Sequence, residues 1–220
     1  TAFMAVGPKA AAFAAFFRVF ADTFPEMSSS WEMLLSIIAV LSMFVGNLGA
    51  IMQTNIKRML AFSSISHAGY ILMAVIAKNS LGSSSLLFYM LSYAFMTFGV
   101  FGIVIILGRK GEENLEIKNY SGLAYKHLVI ALSMTIFLLS LGGLPPFAGF
   151  VAKFYLFSAA IQEGLLTLVI IAVLNSAISF YYYLKVVVFM YMKEPEGEFK
   201  ISLTPITLFV VFIGVVGTIN

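Results

Sequence analysis

Cysteine is absent from these 220 residues, which excludes disulfides, thiolate catalysis, iron–sulfur ligation and cysteine-ligated zinc. Charge is scarce as well: 10% of residues are charged against 61% hydrophobic, and the mean hydropathy is +1.00. No polar stretch between the apolar runs is long enough for a soluble domain, and there is no low-complexity tract. Such a composition belongs to a polytopic helical membrane protein, here an all-α integral membrane protein with one transmembrane domain over 1–220. The formal net charge of +3 does not point to nucleic acid, because the basic residues sit in short loops. Thr1 opens directly in apolar sequence, without an initiating Met or the basic start of a signal peptide, so the chain reads as a fragment of a longer protein.

The apolar runs predict about seven membrane crossings: 1–20, 31–53, 59–77, 85–107, 127–160, 165–192 and 201–219. Most loop charge falls in 108–126 and 193–200. Lys57, Arg58, Arg109, Lys110, Lys118, Lys126, Lys193 and Lys200 all fall in loops on one side, whereas the other side has Arg18 and Lys78. That bias predicts that the basic loops are cytoplasmic and that the C-terminus is outside.

The fifth run is too long for one crossing. As a continuous helix it would extend roughly 50 Å, beyond the ~30 Å of bilayer hydrocarbon. Gly142, Gly143, Pro145, Pro146 and Gly149 supply a break, because proline lacks the amide donor and glycine tolerates the dihedrals needed to leave a helix. Two half-helices joined at membrane depth must bury their exposed carbonyls in protein or turn them to internal water. Lys153 follows this hinge by about one turn, and an ionisable group there is a functional candidate.

Lys9 and Lys185 are the other lysines within runs, and none of the ten acidic residues is placed at depth. Asp22, Glu26 and Glu32 flank the first outer loop, and Glu163 caps the broken segment. Without carboxylates the interior lacks the hard anionic oxygens usual in a sodium site, although carbonyls can substitute. It suits proton handling, since desolvation weakens a lysine's preference for its charged form. Lys9, after Gly7 and Pro8, reads either as a functional group or as a lysine reaching for the near interface; for Lys185 the interface is the expected account.

Ser63, Ser66, His67 and Tyr70 fall on one face of a helix. A histidine there can pass protons through its two ring nitrogens, or simply hydrogen-bond across a helix interface. Tyr89, Tyr93 and Thr97 form another polar stripe, as do Asn175, Ser179 and Tyr182; both read as interhelical packing.

Three stretches carry a resemblance over essentially the whole chain: NIKRMLAFSSISHAGYILMAV (55–75), GLPPFAGFVAKFYLF (143–157) and NSAISFYYYLKVV (175–187). They resemble the antiporter-like, proton-pumping membrane subunits of respiratory complex I, the NADH–quinone oxidoreductase. Lysine followed by Phe-Tyr after the hinge is similar to the N type rather than the M type, which has a glutamate there. Gly7-Pro8 departs from that pattern.

The resemblance implies the second half of an antiporter-like inverted-repeat fold. It places Lys9 on the lysine linking two half-channels, Lys153 on the second broken-helix lysine and His67 on the central hydrated axis. It implies a non-redox subunit of a proton-translocating translocase, in electron transport at the bacterial inner (cytoplasmic) membrane. This chain would hold no cofactor; NADH, FMN, iron–sulfur clusters and quinone would belong to partner subunits. Its partners would be the lipid bilayer and other membrane-arm subunits, the M type and small K- and J-type neighbours, with no nucleic acid. The glutamate and lysine of the first half-channel would lie upstream. The alternatives are a cation/proton antiporter subunit of the Mrp type and a non-pumping structural subunit.

Overall fold

The computed structural model describes residues 2–23, 28–108, 115–195 and 205–219. The basic loop residues Arg109, Lys110 and Lys200, together with Glu26, lie outside them. The described chain is helical throughout. Helix α1 (Ala2–Phe17) continues into a π-helical stretch, Arg18–Thr23, and is followed by α2 (Ser28–Ile51), α3 (Ile56–Ala77) and α4 (Ser80–Leu107). A 3-10 turn (Ile117–Tyr120) and the short α5 (Leu123–Lys126) precede α6 (Leu128–Gly142) and α7 (Ala148–Gln162). Helices α8 (Leu166–Met192) and α9 (Pro205–Ile219) complete the order. No strand occurs among the described residues beyond a single antiparallel bridge between Asn55 and Glu116.

Four of these helices are individually long and apolar enough to cross a membrane: Trp31–Ile51 within α2, then α3, α4 and α8. Helices α6 and α7, of 15 residues each, are shorter apolar helices, as the hinge between them requires. Burial ranks the four long ones. Within their most apolar stretches 72% of α3 and 67% of α4 is buried, against 33% of α2 and 39% of α8. The first pair forms the centre and the second pair lies at the rim.

Close helix approach explains how α3 becomes central. Gly69 lies directly under α2, where a Cβ would sit 2.6 Å from the Ala39 carbonyl oxygen and 3.0 Å from the Met43 nitrogen. In a lipid-facing bundle, association depends on such van der Waals contact and on interhelical hydrogen bonds. The bonds centre on Asn47, which is fully buried. Its amide donates to the Asn175 carbonyl (2.9 Å) and side-chain oxygen (3.0 Å), while its own oxygen accepts from Ser66 (2.9 Å) and Tyr182 (3.1 Å). Thus α2, α3 and α8 share one satisfied polar knot.

The helix ends are fixed by caps that also cross-link. Asn55 caps α3 by accepting from the Arg58 amide at 3.1 Å. Beside it, Ile56 donates to the Leu115 carbonyl and Ile117 to the Thr54 carbonyl, both at 2.8 Å, which clips the 2–3 and 4–5 loops together. At the opposite end Asn79 caps α4 through the Gly82 amide (2.7 Å), and its own amide donates to the Ala159 carbonyl and Glu163, both at 3.0 Å. Lys78 pairs with Glu32 at 2.8 Å over the Trp31 ring.

Asn47→Leu removes the interhelical acceptor of Ser66 and Tyr182 and the donor to the Asn175 side-chain oxygen. At about 1–3 kcal/mol per unsatisfied buried group, a loss of about 2–5 kcal/mol is expected, read as a lowered thermal unfolding midpoint in detergent. An unchanged midpoint would show that the knot does not hold the bundle together.

Candidate functional site

The hinge builds one end of the site. Helix α6 ends at Gly142, and Gly143 takes the left-handed conformation at φ 88°, with its amide donating to the Leu139 (3.0 Å) and Ser140 (2.9 Å) carbonyls. This C-cap satisfies the penultimate carbonyls and leaves those of Leu141 and Gly142 free to accept other donors. The chain re-enters a helix at Ala148, where Gly149 donates its amide to Ser140 Oγ at 3.0 Å. A Cβ on Gly149 would collide with the Ser140 carbonyl, so only glycine lets the two half-helices meet. The Pro145–Pro146 peptide in the connection is cis.

Lys153, on the second turn of α7, points back at the open end of α6. Its Nζ donates to the Gly142 carbonyl at 2.9 Å, the Leu141 carbonyl at 3.3 Å and Ser176 Oγ of α8 at 2.8 Å. All three ammonium donors therefore have acceptors although the residue is only 4% exposed. Each acceptor is neutral. The charge is held by carbonyl dipoles and the negative end of a half-helix, an interaction of about 0.3–2 kcal/mol.

The second lysine is positioned by α1. Lys9 Nζ donates to the Ser64 carbonyl and to Ser64 Oγ (3.0 Å) on α3, and it stands over the Tyr93 ring at 4.7 Å. Lys9 thus turns toward the bundle. Lys185 behaves differently: it reaches the Gln53 carbonyl (3.4 Å) and lies beside a loop cavity with Thr54, Glu116 and Lys118, in keeping with an interfacial lysine.

His67 lies between the two, 3% exposed. Its Nδ1 shares a hydrogen bond with the Tyr89 hydroxyl at 2.8 Å, and its Nε2 faces the Tyr183 hydroxyl at 3.3 Å. Tyr183 in turn hydrogen-bonds Ser63. On one side the His67 ring packs on Tyr93, 4.9 Å between centroids, and Tyr93 carries Lys9. On the other it meets Tyr70 at 6.0 Å, and the Tyr70 ring lies 5.0 Å from Lys153 Nζ. The order is Lys9, Ser64 and Tyr93, His67, Tyr70 and Tyr183, then Lys153 with Ser176. Every member except the outer lysines and the serines is aromatic or imidazole, and no carboxylate takes part.

His67 hydrogen-bonds across helix interfaces to Tyr89 of α4 and Tyr183 of α8. The Tyr89–Tyr93–Thr97 stripe packs between helices, with His67 and Lys9 as the partners of Tyr89 and Tyr93. Ser64, Ser176 and Tyr183 carry contacts that helical periodicity did not single out. Ser64 and Ser176 each lie one position beyond a polar stripe, and two adjacent tyrosines precede Tyr183, so their sequence context offered no discriminating signal. Among the described residues no cluster of His, Asp and Glu could hold a metal.

The family described as NADH:quinone oxidoreductase/Mrp antiporter, transmembrane, matches residues 1–179. An NADH-quinone oxidoreductase subunit N from Trichlorobacter lovleyi is 55% identical over 199 residues, 90% of this chain and 41% of that protein. In solved structures, a chain of respiratory complex I from Thermus thermophilus with bound aureothin superposes with TM-score 0.82 at 36% identity, covering 98% of this chain and 47% of that one. A chain of the Mrp complex from Dietzia sp. gives 0.74 at 28% identity, with coverage of 86% and 35%. The chain spans less than half the length of the curated relatives it matches.

Hydroxyl partners divide the tyrosines. Tyr89→Phe strips His67 of a bond and is expected to cost about 1–3 kcal/mol. Tyr70→Phe removes a buried hydroxyl that meets no partner at full hydrogen-bond geometry among the described residues, and is expected to cost less than Tyr89→Phe. Unfolding midpoints of the two variants in detergent check this; equal shifts would contradict the assigned bonds.

Proposed function

Because the chain belongs to the NADH:quinone oxidoreductase/Mrp antiporter transmembrane family, we propose that it forms the second half of a proton-translocating membrane-arm subunit of an NADH–quinone oxidoreductase. The observation that carries the reading is the line from Lys9 through His67 to Lys153, two lysines that each stand over a tyrosine ring packed on the same histidine, with no acidic partner on either lysine among the described residues. The relative named NADH-quinone oxidoreductase subunit N at 55% identity, and the higher TM-score toward complex I than toward the Mrp complex, favour the redox-driven enzyme over a stand-alone antiporter.

In this reading the chain contains no redox centre. NADH, FMN, iron–sulfur clusters and quinone belong to partner subunits, and neighbouring antiporter-like and smaller membrane subunits deliver the driving charge. The seven crossings comprise α1 to α4, the broken pair α6–α7, α8 and α9. The basic loops face the cytoplasm of a bacterium and the end near Ile219 faces outward.

The chemistry follows from the low dielectric around the lysines. A change of charge on Lys9 acts on Lys153 through this interior, screened less than it would be in water. His67 holds one donor and one acceptor nitrogen in its neutral form, so it can receive a proton on one side and release one on the other. At the hinge, the free carbonyls of α6 stabilise the ammonium of Lys153 until the field from Lys9 changes. The proton then leaves toward the outer face.

Lys153→Ala in the intact complex is expected to slow NADH-driven proton translocation about tenfold, equivalent to about 1.4 kcal/mol on the barrier. NADH oxidation by an artificial acceptor should persist. Proteoliposome pH-dye quenching measured beside quinone and acceptor reduction tests this, and unchanged protons per electron together with unchanged quinone reductase activity would overturn the reading.

A further inference from the structure

Beside the hinge, α7 and α8 border a cavity of about 400 Å³ that meets the proton line only at its Lys153 and Ser176 end. Its apolar wall is made largely by Phe150, Phe154 and Phe180, and its polar end by Lys153, Ser176 and the Gly143 backbone. Phe154 is 57% exposed and Phe150 38%, so the cavity opens sideways on the bundle surface. Gly143 keeps the polar end open: a Cβ there would lie 3.1 Å from Lys153 Nζ.

We propose that this cavity binds a long-chain carboxylic acid, a free fatty acid, with its carboxylate on Lys153 and Ser176 and its chain along the phenylalanines. Three observations select that chemistry. The lysine at the cavity's polar end has its three donors on neutral acceptors, so its charge is hydrogen-bonded but not neutralised, and a carboxylate that replaces one of those acceptors supplies the opposite charge. The rest of the lining is apolar and aromatic, which matches a hydrocarbon chain.

Depth supplies the third. The hinge follows 15 residues of α6 and precedes 15 of α7, about 22 Å of helix on either side, so the site is near mid-membrane. A phospholipid carries its charge at the interface and cannot bring it there without a large desolvation cost. A carboxylic acid can, because it travels protonated and uncharged. On meeting the uncharged amine of Lys153, the acid O–H bond breaks and an N–H bond forms on Nζ, giving carboxylate and ammonium side by side with no net charge moved into the membrane. The pair satisfies both groups through a charge-assisted hydrogen bond. Resting on the proposed proton relay, such a bound carboxylate would pin Lys153 as ammonium and slow coupled turnover.

The test uses the intact complex in lipid nanodiscs with palmitic acid carrying a mid-chain diazirine, and the matching fatty alcohol and phospholipid as controls. After illumination, peptides bearing Phe154 and Phe180 are expected to carry the acid label, with the alcohol and phospholipid about tenfold weaker. Lys153→Met should lower acid labelling about tenfold. Phe154→Trp, which narrows the cavity but leaves the lysine in place, should lower it as well and guards against misassembly of the first variant. Equal labelling by acid and alcohol, or undiminished labelling in both variants, would overturn the site and leave only a lipid-facing surface. The relay and the site fail separately: Lys153→Met that loses the label but pumps normally supports the site and removes the relay, and loss of pumping with acid labelling unchanged does the reverse.

Discussion

Everything at this site depends on how a buried ammonium is kept in an interior without anions. Lys153 solves the problem with the end of a broken helix, since α6 stops at Gly142 and leaves two carbonyls that a continuous helix would have used internally. The break is therefore an electrostatic device as much as a way to shorten an overlong segment. Gly143 and Gly149 make it possible, one by adopting a positive φ and the other by letting the Ser140 carbonyl approach where a side chain would stand. Neutral acceptors hold the charge less tightly than a carboxylate would. A group that must gain and lose a proton benefits from that moderation.

The remainder of the bundle serves to place groups around that device. Helix α3 is the most buried of the long helices and carries His67, Ser63, Ser64, Ser66 and Tyr70 on its length, so each neighbour meets it with a polar side chain. Helix α1 contributes Lys9, α4 contributes Tyr89 and Tyr93, and α8 contributes Ser176 and Tyr183. The Asn47 knot, reached from α3 through Ser66 one residue before His67, has its hydrogen bonds filled within the protein and fixes helices in place. The line beside it meets both lysines through tyrosine ring faces.

Much of this was legible in the residues. Hydropathy located the helices, and the excess length of the 127–160 run together with its Gly and Pro residues located the hinge; the break falls at 143–147, between α6 and α7. Lys153 and His67 stood out because ionisable side chains are rare in apolar runs. What could not be read were the partners across helices. Periodicity assigns a residue to a face but not the face to a neighbour, so Tyr93 reads as interhelical packing without showing that Lys9 of α1 is what lies over its ring. Lys9 itself was ambiguous for the same reason, because snorkelling and inward bonding differ only in which helix lies beside it. The short Ile117–Tyr120 turn and α5 escaped notice inside a charged loop, where three separated side chains, Ile117, Tyr120 and Leu123, and backbone bonds to Thr54 and Phe189 hold the chain without a continuous apolar run.

The central claim is that Lys9 and Lys153 are stations on one proton path. The most direct measurement is a double-mutant comparison of protons translocated per electron in the intact complex, with Lys9→Met, Lys153→Met and both together. A single path predicts that each replacement alone causes the full loss and that the second adds nothing. Two partial losses that add in the double variant, or full stoichiometry in all three, would contradict it.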